Sequence, residues 1–213
     1  QGGAVMGTVA IVDYGVGNLK SVANALSYLG CSSCITADPA ELERADAIIL
    51  PGVGAFPDAA DRLRSGGLDQ HVLAQGQKKP VLGICLGMQL LLERSFEYGE
   101  HPGLGLIPGE VRPIRDVIPA GLAVPHMGWN ALRFPAERPR SPIFAALEEG
   151  EHVYFVHSYA GFACGEGLTA WTEYGAPLTA AVQRGNVYGT QFHPEKSGDV
   201  GLRILKAFCG LEG

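Results

Sequence analysis

The chain has 213 residues, 46% of them apolar and 18% charged, with a formal net charge of −6. That length and composition suit one substantial, soluble core. The acidic balance and the lack of any Lys/Arg-rich run exclude nucleic acid and anionic membranes as expected partners, and no apolar run approaches the roughly 18 residues that span a bilayer.

The opening "QGGAVMGTVAIVDYG" has neither a basic region nor a cleavage site, so no signal peptide is read there. Residues ahead of Met6 fit none of the patterns below. Five cysteines, Cys31, Cys34, Cys85, Cys164 and Cys209, form an odd set without a regular framework, which suits a reducing compartment, the cytoplasm. Cys31 and Cys34 make a C-x-x-C, but no second pair stands at ligand spacing. The pair therefore reads as packing, and neither metal nor cofactor is expected.

"TVAIVDYG" (Thr8 to Gly15) predicts a buried strand ending in a turn. Leu19, Val22, Ala23, Leu26 and Leu29 then fall at helical spacing until Gly30 stops them. "CSSCIT" predicts a short second strand, and "ADAIILPGVGAF" a third, centred on Ala47–Leu50 and ending in a Pro/Gly loop. A helix is expected from Asp58 to Gln75. "KPVLGICLGMQLLLER" predicts a fourth strand feeding a helix. This alternation predicts an α/β fold: an open mixed, mostly parallel sheet with helices on both faces.

From Gly103 to Ala180 the segments shorten. "GEVRPI", "ALRF", "HVYFVHSYAGF" and "LTAAVQRG" predict strands, some of them added antiparallel at the sheet edge, while "PHMGWN" reads as a loop. "VYGTQFHPEKS" predicts a last strand leaving into a loop. "DVGLRILKAFCG" closes the chain as an amphipathic helix with Val200, Ile204, Leu205 and Phe208 on one face. Without repeats or a low-complexity linker, one domain is expected over 1–213, its core about 7–210.

Gly83-Ile84-Cys85-Leu86-Gly87 matches the strand-to-helix elbow G-x-nucleophile-x-G, with sulfur in place of oxygen. A thiolate there faces the free N–H groups at a helix start, and the Leu86 N–H is placed to hold an oxyanion. By itself the motif is equally compatible with a cysteine used as a small core hydrophobe. "QFHPE" supplies partners. His193 and Glu195 stand two apart around Pro194, which favours an extended backbone and puts both side chains on one side. Together with Cys85 they form a Cys–His–Glu set in the order nucleophile, base, orienter. "PGVGAF" leaves the third strand at the same sheet edge, and its backbone N–H groups suit the second half of an oxyanion hole. A plain β–α turn would use the same residues.

"GICLGMQLL", "QFHPEKS" and "LPGVGAF" together resemble the class I glutamine amidotransferases. "VDYGVGNLKSV" and "VPHMGWN" narrow the resemblance to the glutaminase subunits of imidazole glycerol phosphate synthases, in histidine biosynthesis. It runs from about Val9 to Phe208. The resemblance implies hydrolysis of glutamine through a thioester on Cys85, with His193 as base and Glu195 orienting it. It implies an oxyanion hole at Gly52, Val53 and Leu86, and a glutamine site formed by Gly54, Gln89, Glu97, Ser158 and Tyr159. It also implies a heterodimer with a (β/α)8-barrel cyclase docked over His126, Met127, Gly128, Trp129, Asn130 and Lys196. On the residues alone, "PHMGWN" fits an interface and an ordinary packed loop equally well. Two other readings are a glutaminase with another partner, such as that of pyridoxal phosphate synthase, and a non-catalytic thiol sensor; the latter would have no use for the carboxylate beside His193.

Overall fold

The computed structural model describes residues 7–211. The segment ahead of Met6 and the last two residues lie outside the described residues. In chain order the elements are β1 (Val9–Val12), α1 (Leu19–Tyr28), β2 (Ser33–Thr36), α2 (Pro39–Arg44), β3 (Ala47–Leu50), α3 (Phe56–Ser65), α4 (Leu68–Gly76), β4 (Val81–Ile84) and α5 (Leu86–Leu91). Then follow β5 (Arg94–Ser95), β6 (His101–Pro102), β7 (Glu110–Pro113), β8 (His126–Ala131), β9 (His152–His157), β10 (Tyr159–Phe162), β11 (Leu168–Glu173), β12 (Pro177–Arg184), β13 (Val187–Thr190) and α6 (Gly198–Cys209).

The main sheet has seven strands in the order β11-β12-β13-β4-β3-β1-β2. From β13 to β2 all neighbours are parallel; β12 and β11 add antiparallel at one edge. The strands β1, β3, β4 and β13 are buried along their whole length, which is why their sequences are unbroken apolar runs. Alternate residues serve opposite faces. Val9, Ile11, Ile49, Leu82 and Ile84 pack with Val22 and Leu26 of α1 and Ile204, Leu205 and Phe208 of α6. Ala10, Val12, Ile48, Leu50 and Val81 pack with Leu42 of α2, Phe56 and Leu63 of α3, Val72 of α4 and Leu91 of α5. Each such Val, Leu, Ile or Phe side chain, fully buried, contributes about 1.5–3 kcal/mol of hydrophobic stabilisation before entropy is counted. A smaller sheet, β10-β7-β5-β6, and the two-stranded ribbon β8-β9 lie outside the main one.

The expected helix from Asp58 to Gln75 is two helices. Gly67 adopts φ +70°, a left-handed conformation that breaks α3 from α4. The helix after Cys85 stops at Leu91 rather than running on to Arg94, because the 103–107 segment takes over its last carbonyls. Leu104 N–H donates to Leu90 O, Leu106 and Ile107 N–H to Leu91 O, and Gly105 N–H to Leu92 O. "HVYFVHSYAGF" is two strands in two sheets, parted at Ser158. "ALRF" lies at and beyond the end of β8, and "PHMGWN" is mostly strand rather than loop, with His126 to Asn130 paired against Val153 to His157. Helix α2 and strand β11 are additions to the expected elements. Asp38 caps α2 by accepting from Ala40 N–H at 2.9 Å, with Pro39 at its first turn.

Candidate active site

Three neighbouring parallel strands deliver the site. β3, β4 and β13 lie side by side, with Leu50 opposite Gly83 and Ile84 opposite Thr190. The residues just past their ends, Gly52 to Gly54, Cys85, and Gln191 to His193, therefore emerge together at the C-terminal edge. Open α/β sheets bind their ligands at this edge.

Cys85 has φ 55° and ψ −112°. A non-glycine residue held at positive φ costs of order 1–3 kcal/mol, and such strain collects at functional corners. The strain is held by a bond from Cys85 N–H to Thr190 O at 2.7 Å and by close packing of strand on helix. A Cβ added to Gly87 would stand 1.9 Å from Leu50 O, and one on Gly83 2.6 Å from Gly87 O. A Cβ on Gly52 would lie 2.9 Å from Gly87 N, so the loop after β3 is pressed onto the start of α5. Tyr14, just past β1, donates from its hydroxyl to Pro51 O at 2.6 Å and fixes the start of that loop. Burial raises the Tyr14 phenol well above its ordinary range, with Cys85 adding to the effect, so it remains a donor.

His193 Nδ1 meets Glu195 Oε1 at 2.7 Å, both side chains nearly inaccessible. Cys85 and the imidazole line the same cavity. Burial alone would lower His193, but its neighbours Cys85 and Glu195 favour the charged ring and carry it up to about 9. Ser197, fully buried, braces the segment: its hydroxyl donates to His193 O at 2.6 Å and accepts from Tyr154 N–H at 3.0 Å. His193 N–H in turn donates to Tyr154 O at 3.1 Å.

A cavity of about 370 Å³ opens over the sulfur, lined by Val53, Gly54, Cys85, Gln89, Glu97, His157, Ser158, Tyr159, His193 and Lys196, among others. A larger one, about 680 Å³, lies around Phe134, Arg138 and Arg140 and is lined by neither cysteine nor histidine; Cys85 and His193 line the smaller. Glu97 is buried and accepts from Phe56 N–H at 3.0 Å. Burial raises its carboxyl, against the pull of that bond. The Gln89 amide nitrogen donates to Tyr159 O at 3.3 Å and to Gln191 Oε1 at 3.1 Å.

The ribbon beside the cavity divides its residues by strand alternation. Met127 and Trp129 are 61% and 53% exposed, whereas His126 is 1% exposed and faces inward. His126 Nδ1 lies 2.9 Å from His157 Nε2, and His126 Nε2 lies 2.8 Å from Asn130 Oδ1. His157 Nδ1 donates to Tyr159 O at 2.8 Å. Burial lowers both rings, and His157 is brought down to about 4 despite that carbonyl, helped by His126 and His193. Lys196 stands at the exposed cavity rim. Cys31 and Cys34 do not form a site: Cys31 is buried with the α1/α6 face, and Cys34 packs on the other.

The sequence reading named Cys85, His193 and Glu195, and the fold brings them together. It passed over Gln191, His157, Ser197 and Tyr14. A signal was present for Gln191, two residues before His193, and for Tyr14, which follows β1 as Gly52 follows β3.

Residues 10–209 match the family model for glutamine amidotransferase class-I. The chain belongs to that family. This amidotransferase is 50% identical to the imidazole glycerol phosphate synthase subunit HisH of Wolinella succinogenes, over 95% of this chain and 99% of that one. It is 48% identical to the HisH subunit of Oceanobacillus iheyensis, over 94% and 97% respectively. Among solved structures, the amidotransferase superposes on one described as a glutamine amidotransferase with a TM-score of 0.72 at 22% identity, covering 95% of this chain and 99% of that one. The PurLQS structure from Thermotoga maritima gives 0.67 at 22% identity, over 94% and 96%. These two speak to the fold.

Proposed function

We propose that this chain is the glutaminase subunit of an imidazole glycerol phosphate synthase, a single domain acting in the cytoplasm without cofactor or metal. Cys85 attacks the side-chain carboxamide of glutamine and forms a C–S bond. His193 carries the proton taken from the thiol and gives it to the departing ammonia. Glu195 holds the ring in register and stabilises its charge. The N–H groups around Gly52 and Val53, with that of Leu86, receive the tetrahedral oxyanion. Water deprotonated by His193 then breaks the thioester and releases glutamate, returning the electron pair to sulfur.

Glu97 reads the substrate α-amino group, and the backbone of Ser158 and Tyr159 its α-carboxylate, with Gln89 and Gly54 as walls. Ammonia in open water is protonated and no longer a nucleophile, so it passes to a (β/α)8-barrel cyclase bound as a heterodimer. Met127 and Trp129 are the apolar anchors of that face, with Lys196 at its rim; His126, Gly128 and Asn130 shape the ribbon beneath them.

The observation that carries the reading is the strained Cys85 elbow facing one cavity with a buried, hydrogen-bonded His193–Glu195 pair. The test is glutamate release by the chain mixed with a cyclase barrel. Glutamine turnover should rise sharply on mixing and vanish with Cys85→Ala; normal turnover in that variant would defeat the assignment.

A further inference from the structure

The carboxamides beneath Cys85 have one consistent orientation. Tyr159 O is a carbonyl and only accepts, so the group 3.3 Å from it is the Gln89 amide nitrogen. That nitrogen also lies 3.1 Å from the Gln191 side chain, which must present its oxygen there. The Gln191 amide nitrogen is then left facing Cys85 Sγ, at 3.6 Å. Gln191 is fully buried, its backbone N–H is tied to Ala180 O at 2.8 Å, and its carboxamide is held by the bond from Gln89.

A neutral thiol is a weak acceptor, whereas a thiolate makes a charge-assisted bond of about twice the strength. The sulfur's other neighbours divide between the two forms. Val156 O, at 4.0 Å, accepts from the thiol; the His193 ring and the Gln191 amide favour the thiolate. We infer that Gln191 is a further catalytic residue, donating its amide N–H to the Cys85 sulfur and holding it charged for attack. The inference rests on Cys85 being the nucleophile. The bond weakens while sulfur is acylated and neutral. It is regained when the C–S bond breaks and the electron pair returns to sulfur, so it assists both attack and release.

The experiment uses the isolated chain without glutamine or cyclase, so its outcome is independent of the turnover assay. Iodoacetamide alkylation at pH 7 is followed peptide by peptide by mass spectrometry, with half-buried Cys34 as the internal reference. Gln191→Met keeps the volume and removes the donor. Gln191→Glu keeps an oxygen toward Gln89 and turns the donor into an anion. Cys85 should react about tenfold more slowly in Gln191→Met, the loss expected for one buried bond to a charged group, and more slowly still in Gln191→Glu. If Gln191 were only packing, its replacement would loosen the elbow and expose the buried sulfur. An unchanged or faster Cys85 in both variants therefore overturns the inference.

Discussion

The edge where β3, β4 and β13 end and the ribbon β8-β9 flank the same cavity but are built oppositely. The edge is rigid: its loops leave strands buried along their whole length, and Gly87 touches the Leu50 carbonyl. The strained Cys85 and the His193–Glu195 pair sit there, beside backbone packed closely at Gly52, Gly83 and Gly87. The ribbon turns apolar side chains outward, at Met127 and Trp129, and buries polar ones, at His126. A face of that kind is unfavourable in water and favourable once covered. Under the proposed function the edge holds the reacting groups, while the ribbon ties a surface to the cavity through His126, His157 and the Tyr159 carbonyl.

The largest effect that would separate the two regions comes from Gly87→Ala. Its methyl would collide with a backbone carbonyl that strand pairing holds in place. Destabilisation of about 3 kcal/mol or more is expected, measured by urea unfolding, with glutamine turnover lost as the elbow deforms. Full stability in this variant would mean that the edge is pliable.

Glu195→Gln comes next and acts on charge alone. His193 stands at about 9 against an ordinary 6.5. A histidine raised on folding contributes stability that is fully present below pH 6.5 and lost as pH rises through about 9. The stability gap between the native chain and Glu195→Gln should therefore be widest below pH 6.5 and close above pH 9. NMR titration of the ring should find it lowered in the variant, since burial then faces one fewer opposing charge. A gap that widened with pH would contradict the pairing.

The smallest effect on the isolated chain belongs to the ribbon. Trp129→Ala should leave unfolding nearly unchanged, because the ring is half exposed. It should weaken cyclase association by about 2 kcal/mol, the cost of losing an aromatic anchor, as read by titration calorimetry. A loss of fold without a loss of affinity would reverse the roles given to the two regions.

These regions also differ in how far the sequence discloses them. On the edge, each strand is a short apolar run with a turn signal behind it, so the position of Cys85, His193 and Gly52 follows from where the runs stop. On the ribbon the usual pattern is inverted. Apolar residues point out and His126 points in, and Gly128 at φ +144° interrupts the alternation, so "PHMGWN" resembles a loop although it pairs as a strand. Helix α2 has a single buried apolar residue, Leu42, and so no periodicity to find; only Asp38 and Pro39 mark its start. Between Asp58 and Gln75 the left-handed backbone at Gly67 is what makes two helices of the one expected. His157 and Ser197 reach residues far away in the chain, which no local spacing encodes.

The central claim is a covalent bond between Cys85 and the substrate. Chain and cyclase mixed with glutamine, quenched in acid during turnover and digested, should yield the Cys85 peptide carrying a glutamyl group as a thioester. The same peptide should be unmodified when glutamate replaces glutamine. Ammonia released at full rate with Cys85 never acylated, or with the glutamyl group on another residue, would contradict the account.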